Sequence, residues 1–209
     1  WGPEFMYHGF RYMQISGLSE APSPSDFTAQ RIRSNMDQTG YFSTSNTLIN
    51  DIHTLCRDAI QSQLYNTITD CPQREKLGWL DVPNEMFNSL CYNYDMTTFW
   101  TKVVMDCFDA QGENGFVPST APWFMNVYAD DPNWGGTGIL VPYRSLKTYG
   151  DRSLMKKYYP QMKRLMDYYT SRTTDYIMQN YSVLSDWGQS SCGLPVQTPT
   201  EFTITTTYY

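Results

Sequence analysis

The segment most informative about architecture runs from residue 70 to residue 82 and reads Asp70-Cys71-Pro72-Gln73-Arg74-Glu75-Lys76-Leu77-Gly78-Trp79-Leu80-Asp81-Val82. A proline and a glycine interrupt it, and neither residue is favoured inside a helix, so the segment is predicted to be an irregular loop. Three carboxylates, an arginine and a tryptophan share this loop. Loops held by a rigid scaffold often carry binding and catalytic groups. The loop is therefore the first candidate for a functional site.

The residue types in this loop suit the cleavage of a glycosidic bond. That reaction needs one carboxylic acid to protonate the leaving oxygen and a second carboxylate to activate water or attack carbon. Aromatic rings offer faces for the apolar side of a sugar. The alternative is that Arg74 forms an ordinary ion pair with a neighbouring carboxylate on a solvated loop, because such pairs are common. Composition alone leaves both interpretations open.

The decapeptide from Asp70 to Trp79 resembles the signature of the bacterial and fungal α-L-rhamnosidases, which form a large family of inverting glycoside hydrolases. Other segments that resemble the family follow in the family's order, at residues 5–12, 40–46, 109–118, 134–135, 141–142, 149–151 and 186–187. The resemblance implies a mainly α fold: part of an (α/α)6 barrel of the six-hairpin glycosidase type, preceded by the last strands of a β-sandwich.

The resemblance also implies two domains. Residues 1–40 would be the C-terminal remnant of the β-sandwich, and residues 41–209 the N-terminal, incomplete part of the barrel. The chain is thus expected to be an excerpt whose partner is the missing remainder of the barrel. Such an excerpt is expected to be inactive by itself and to expose apolar helix faces.

Periodicity predicts where the elements lie. Alternating apolar residues predict strands at residues 4–18 and 27–36. Helical spacing predicts a helix that begins near Ser45, capped by residue 43, 44 or 45, and leads to the motif. Further helices are predicted at residues 83–94, 99–108, 138–149 and 153–175. A long loop at residues 112–136 is expected to meet the motif loop at the mouth of the barrel.

By position in the family motif, Glu75 is implied to be the general acid. Asp70 and Arg74 are implied to bind or orient the rhamnose unit, and Trp79 and Trp134 to form walls of the pocket. The general base implied by the family is a glutamate on a later helix, outside this chain.

Three further acidic positions and one tryptophan are predicted to contact substrate. Asp81 departs from the family pattern, in which Gly-Asp ends the motif, so the second acidic position is shifted by one residue or lost. Asp131 lies near Trp134 in the long loop, and the alternative is that it ends a turn or caps a helix. Asp186 and Trp187 complete the predicted set.

Composition excludes several classes of function. The formal net charge is −6 with no long basic run, so nucleic acid is not an expected partner. No stretch approaches the roughly 20 apolar residues of a membrane span, and no membrane association is expected. No Cys or His spacing predicts a metal site, and no cofactor is expected. A secreted or periplasmic location is expected, with a cytoplasmic one as the alternative.

The leading hypothesis is a glycoside hydrolase that releases terminal α-L-rhamnose from glycosides or polysaccharides with inversion. One alternative is a non-catalytic carbohydrate-binding relative, because aromatic walls alone provide affinity for sugars. Another alternative is a helical-barrel hydrolase for a different sugar, since one scaffold accepts new substrates through its loops.

Overall fold

The computed structural model describes residues 2–124, 130–179, 184 and 198–209. The predicted contacts Asp186 and Trp187 lie outside the described residues. The elements are α1 (Thr47–Gln63), α2 (Asp81–Asn93), α3 (Thr97–Asp109), α4 (Pro132–Gly135), α5 (Thr137–Tyr149), α6 (Ser153–Ser171), β1 (Thr173–Thr174), β2 (Ile177–Met178) and α7 (Thr200–Tyr208). No helix in the described ranges has the length and apolar content needed to cross a membrane.

Helix α1 confirms the helix predicted to begin near Ser45, although its cap lies one residue further along. The Asn46 side chain accepts a hydrogen bond from the Leu48 backbone N–H at 3.0 Å, which satisfies one of the free donors at the helix start. Apolar side chains of α1 remain open to solvent, and Leu48 and Leu55 are 64% and 68% exposed. The predicted exposure of an apolar helix face is therefore confirmed.

The core is built where α5 packs on both α2 and α3. Phe87 of α2 stacks on Trp100 of α3, with ring centroids 4.6 Å apart and both side chains fully buried. Gly138 of α5 lets the helices approach closely, because a Cβ there would lie 3.0 Å from the Cys107 sulfur. Six apolar residues in the segment predicted to form α3 are buried: Phe99, Trp100, Val103, Val104, Cys107 and Phe108.

Helix α6 ends four residues earlier than the pattern predicts. Asp175 and Tyr176 both have positive φ, 50° and 66°, so the chain turns there instead of continuing as a helix. Two consecutive residues with positive φ are typical of the two-residue turn that joins antiparallel strands, and β1 pairs with β2 across it. Pro160 lies inside α6 without ending the helix.

The two strands predicted at residues 4–18 and 27–36 are not formed, and this prediction is wrong for the described residues. Their alternation predicted one buried face, but Phe5 and Tyr12 are 98% and 90% exposed. A strand requires a ladder of hydrogen bonds to a neighbour. Here the backbone instead makes single bonds to the helical part, such as Gly9 N–H to the Pro72 carbonyl at 3.0 Å and Ser34 N–H to the Leu64 carbonyl at 2.8 Å.

Candidate active site

The motif loop, residues 64–80, connects α1 to α2 and closes on itself. The Asp70 N–H donates to the Leu77 carbonyl at 3.3 Å, and the Leu77 N–H donates to Asp70 Oδ1 at 3.3 Å. The Lys76 N–H donates to the Cys71 carbonyl at 3.2 Å. These bonds hold residues 70–77 in a closed turn, which confirms the predicted irregular loop as far as Leu80. Asp81 and Val82 belong to helix α2 instead.

A cysteine lies between two of the predicted site residues. The Cys71 thiol donates to Asp70 Oδ2 at 2.9 Å and its sulfur accepts from the Glu75 backbone N–H at 3.2 Å. Both oxygens of Asp70 are thus engaged by the loop itself. Cys71 is not among the site residues predicted from the sequence, although its place within the signature is a signal that could have identified it.

The Glu75 carboxylate has a donor at each oxygen. The Trp79 indole N–H donates to Oε2 at 2.8 Å, and an Arg74 guanidinium nitrogen lies 2.9 Å from Oε1. The Glu75 side chain is 33% exposed and that of Arg74 is 77% exposed. Arg74 therefore forms an ion pair with a neighbouring carboxylate, as the alternative interpretation of the loop predicts, and its partner is Glu75. It also leaves the carboxylate accessible from solvent.

The motif loop meets the second loop, which here means the described residues 110–124 after α3. The Ala121 N–H donates to the Gly78 carbonyl and the Leu80 N–H to the Ser119 carbonyl, both at 2.9 Å. A Cβ on Gly78 would lie 2.3 Å from the Ala121 oxygen, so only glycine allows this approach. The predicted meeting of the two loops is confirmed, and it fixes the backbone on both sides of Trp79.

Asp81 lies at the first position of α2 and has a perturbed carboxyl group. Burial raises the pKa of Asp81 to about 6, and the charge of Glu85 acts in the same direction. Asp81 accepts hydrogen bonds from backbone N–H groups and from the Trp134 side chain, which lower this pKa without offsetting the effect of burial. Asp81 Oδ1 is buried without a hydrogen-bond partner among the described residues. Trp134 is 5% exposed and belongs to the core.

Asp131 caps a helix, which is the predicted alternative to a contact with sugar. It is 1% exposed, and its side chain accepts from the Asn133 N–H at 2.9 Å, which caps the short helix α4. Its neighbour Asp130 receives a hydrogen bond from the Tyr168 hydroxyl and lies 3.5 Å from Arg172. The structure thus gives both carboxylates partners within the fold, and a sugar contact by Asp131 stays a prediction.

The predicted residues therefore form two groups. Asp70, Arg74, Glu75 and Trp79 lie together in the motif loop, whereas Asp81 pairs with Trp134 at the start of α2. A separate cavity of about 460 Å³ lies between α1, α2 and residues 40–42, and none of the predicted site residues lines it.

Two family models cover the chain in succession. The bacterial alpha-L-rhamnosidase 6 hairpin glycosidase domain matches residues 37–209. The chain belongs to this family. The bacterial alpha-L-rhamnosidase concanavalin-like domain matches residues 1–33. The predicted membership of the rhamnosidase family and the predicted helical barrel of the six-hairpin type are both confirmed.

Named α-L-rhamnosidases are similar over nearly the whole chain. One from Formosa agariphila is 32% identical over 198 residues, which are 90% of this chain and 21% of that protein. One from Alteromonas sp. is 28% identical over 190 residues, which are 90% of this chain and 20% of that protein. The chain thus spans about a fifth of the length of these curated relatives.

Solved structures of rhamnosidases share the fold. The enzyme from Dictyoglumus thermophilum superposes with a TM-score of 0.82 at 29% identity, over 91% of this chain and 22% of that chain. The Streptomyces avermitilis enzyme, solved in complex with L-rhamnose, superposes with a TM-score of 0.77 at 24% identity, over 84% of this chain and 17% of that chain. The second likeness concerns the fold alone.

Proposed function

We propose that the protein containing this chain is a glycoside hydrolase that releases terminal α-L-rhamnose from glycosides or polysaccharides by an inverting two-carboxylate mechanism. The observation that carries the proposal is the Glu75 carboxylate, held between Trp79 and Arg74 in the loop with the family signature. The substrate class is supported by relatives such as the Formosa agariphila protein, which is named an alpha-L-rhamnosidase.

Glu75 is the proposed general acid. It would give its proton to the oxygen of the leaving group as the bond to the sugar breaks, and would itself become a carboxylate. The Trp79 indole N–H donates to one of its oxygens and the Arg74 guanidinium lies beside the other, so the anion that forms would be stabilised by one hydrogen bond and one ion pair. The accessible face of Glu75 leaves room for the substrate.

A second carboxylate must activate the water. In an inverting enzyme it stands about 6.5–9.5 Å from the acid, so that water fits on the opposite face of the sugar. Both oxygens of Asp70 are engaged inside the loop, which disfavours this residue as the base. We therefore propose that the base is a glutamate outside this chain. Asp70 and Arg74 would instead order the loop and the bound rhamnose.

We further propose the division at residue 40, with the sandwich remnant before it and the barrel after it. Separate family matches to residues 1–33 and 37–209 support it. The rest of the barrel is the proposed partner of the exposed apolar face of α1, since Leu48, Ile52 and Leu55 would lose contact with water there.

The test is hydrolysis of p-nitrophenyl α-L-rhamnopyranoside by the full-length protein that contains this chain. Glu75→Gln is expected to abolish turnover of a rhamnoside with a sugar leaving group, which needs a proton to depart, and to lower turnover of the p-nitrophenyl substrate less, while rhamnose binding remains. Glu113→Gln, which alters an exposed glutamate in the second loop, should retain activity. NMR of the first product formed should show β-L-rhamnose. Absence of release by the folded wild type would reject the activity, and first formation of the α-anomer would reject inversion.

A further inference from the structure

We propose that Lys76 is a positioning residue that fastens the loop of Glu75 to the segment around Tyr7, upstream of the helical domain. The segment at residues 7–9 would thus help to position the catalytic loop. The inference rests on the proposed function of Glu75 as the acid, and it adds a residue and a segment that neither the signature nor the resemblance assigned to catalysis.

The side chain of Lys76 reaches across 69 positions of sequence. Its Nζ donates to the backbone carbonyl of Tyr7 at 2.8 Å and lies 5.3 Å from the centroid of the Tyr7 ring. The ammonium group thus binds an oxygen and an aromatic face of the same residue, and both contacts attract a cation. Lys76 is half-buried there, which limits competition by water.

Three further contacts hold the same two segments together. The Gly9 N–H donates to the Pro72 carbonyl at 3.0 Å, and the Tyr7 hydroxyl donates to Thr69 Oγ1 at 3.2 Å. The rings of Tyr7 and Tyr65 lie with centroids 4.8 Å apart. Contacts at four points along the motif loop form a docked surface, so movement of the upstream segment would move the loop.

The backbone of Lys76 supports a positioning role. Its φ is +58°, in the left-handed region that residues with a Cβ rarely adopt. Glycine would take this conformation without strain. A lysine here needs a compensating interaction, and the contact with Tyr7 supplies one. Because Lys76 follows Glu75 directly, its turn and its anchor set the direction in which the Glu75 side chain leaves the loop.

The experiment compares Lys76→Gly, Lys76→Met and Lys76→Arg in the full-length protein. Lys76→Gly removes the anchor but relieves the backbone, so its melting temperature should stay close to wild type. We expect kcat to fall about tenfold or more in the Gly and Met variants, because a small misplacement of a catalytic group lowers the rate of the chemical step by at least that factor. KM should stay within about twofold of the wild-type value. Lys76→Arg should restore most of kcat. Lys163→Met, which removes an exposed lysine paired with Asp167 on α6, is the matched control.

Hydrogen exchange supplies a second readout that needs no substrate. Peptides covering residues 70–78 should exchange faster in Lys76→Gly than in wild type, and Lys163→Met should leave them unchanged. If exchange is faster in Lys76→Gly but the wild type hydrolyses no rhamnoside, the anchoring of the loop by Lys76 is supported and the proposed function is rejected. Unchanged loop exchange, a kcat within twofold of wild type, or a kcat loss that only follows a lowered melting temperature would each overturn the positioning role.

Discussion

The indole N–H of Trp79 donates to the carboxylate of Glu75 across 2.8 Å, although no helix joins these two residues. The closed turn of residues 70–77 and the hydrogen bonds from Ala121 to Gly78 and from Leu80 to Ser119 bring them together. The relationship therefore depends on two loops at once. A substitution that moves either loop should move Trp79 and so alter its hydrogen bond to the Glu75 carboxylate.

Trp79→Phe should lower kcat for rhamnoside hydrolysis about tenfold, because the aromatic face remains while the donor to Glu75 is lost. Steady-state kinetics of the full-length protein would measure this. Tyr92→Phe, at a tyrosine that is 75% exposed on α2, is the control and should match wild type. An unchanged kcat in Trp79→Phe would show that the indole N–H does not assist the reaction.

Gly78→Ala should destabilise the fold by about 1–3 kcal/mol, since the added methyl would meet the Ala121 oxygen at 2.3 Å and force the loops apart. Urea unfolding would report the loss, and kcat should fall as Trp79 moves. Gly2→Ala, where nothing lies within 4 Å of the new Cβ, should change neither quantity. Equal stability of the two variants would contradict the close approach of the loops.

Asp81 should make stability depend on pH. Burial raises its pKa to about 6 in the folded state, whereas the unfolded chain loses this proton near the ordinary aspartate pKa of 3.8. Between these values the folded state binds more protons, so the free energy of unfolding falls as pH rises through the window. The loss of unfolding free energy that comes from ionising the buried Asp81 is complete above about pH 7 and is on the order of 3 kcal/mol.

The check is urea unfolding of wild type and Asp81→Asn at pH 4 and pH 7.5. The wild type should lose more stability on going to pH 7.5 than the variant does. Burial also raises the pKa of Asp130, but that residue is present in both proteins and its contribution cancels. Identical pH dependence in the two proteins would mean that Asp81 is not buried as described.

Phe87→Ala should cost about 3–5 kcal/mol, because the ring is fully buried and stacks on Trp100 between α2 and α3. Thermal or urea unfolding would measure it. Tyr92→Ala on the same helix removes an exposed ring and should stay within about 0.5 kcal/mol of wild type. A small loss in Phe87→Ala would show that the interface between α2 and α3 is not the core.

Most helices could be predicted from the sequence, because the apolar spacing of α2, α3 and α5 reports directly which face is buried. The motif loop was found for a similar reason, since its residue order is specific. The strands at residues 4–18 and 27–36 could not be judged in this way. Alternation describes which side chains share a face, but a strand also needs a hydrogen-bonding neighbour.

By itself the sequence determined the family, the helical periodicity and the residues of the signature, because these are properties of residue order over short distances. The tertiary structure decided which partners these residues have. The pairing of Glu75 with Trp79, the burial of Asp81 and the anchoring of Lys76 on Tyr7 depend on segments that fold back on one another. Such contacts join residues far apart in the chain, and residue order alone does not specify their distances.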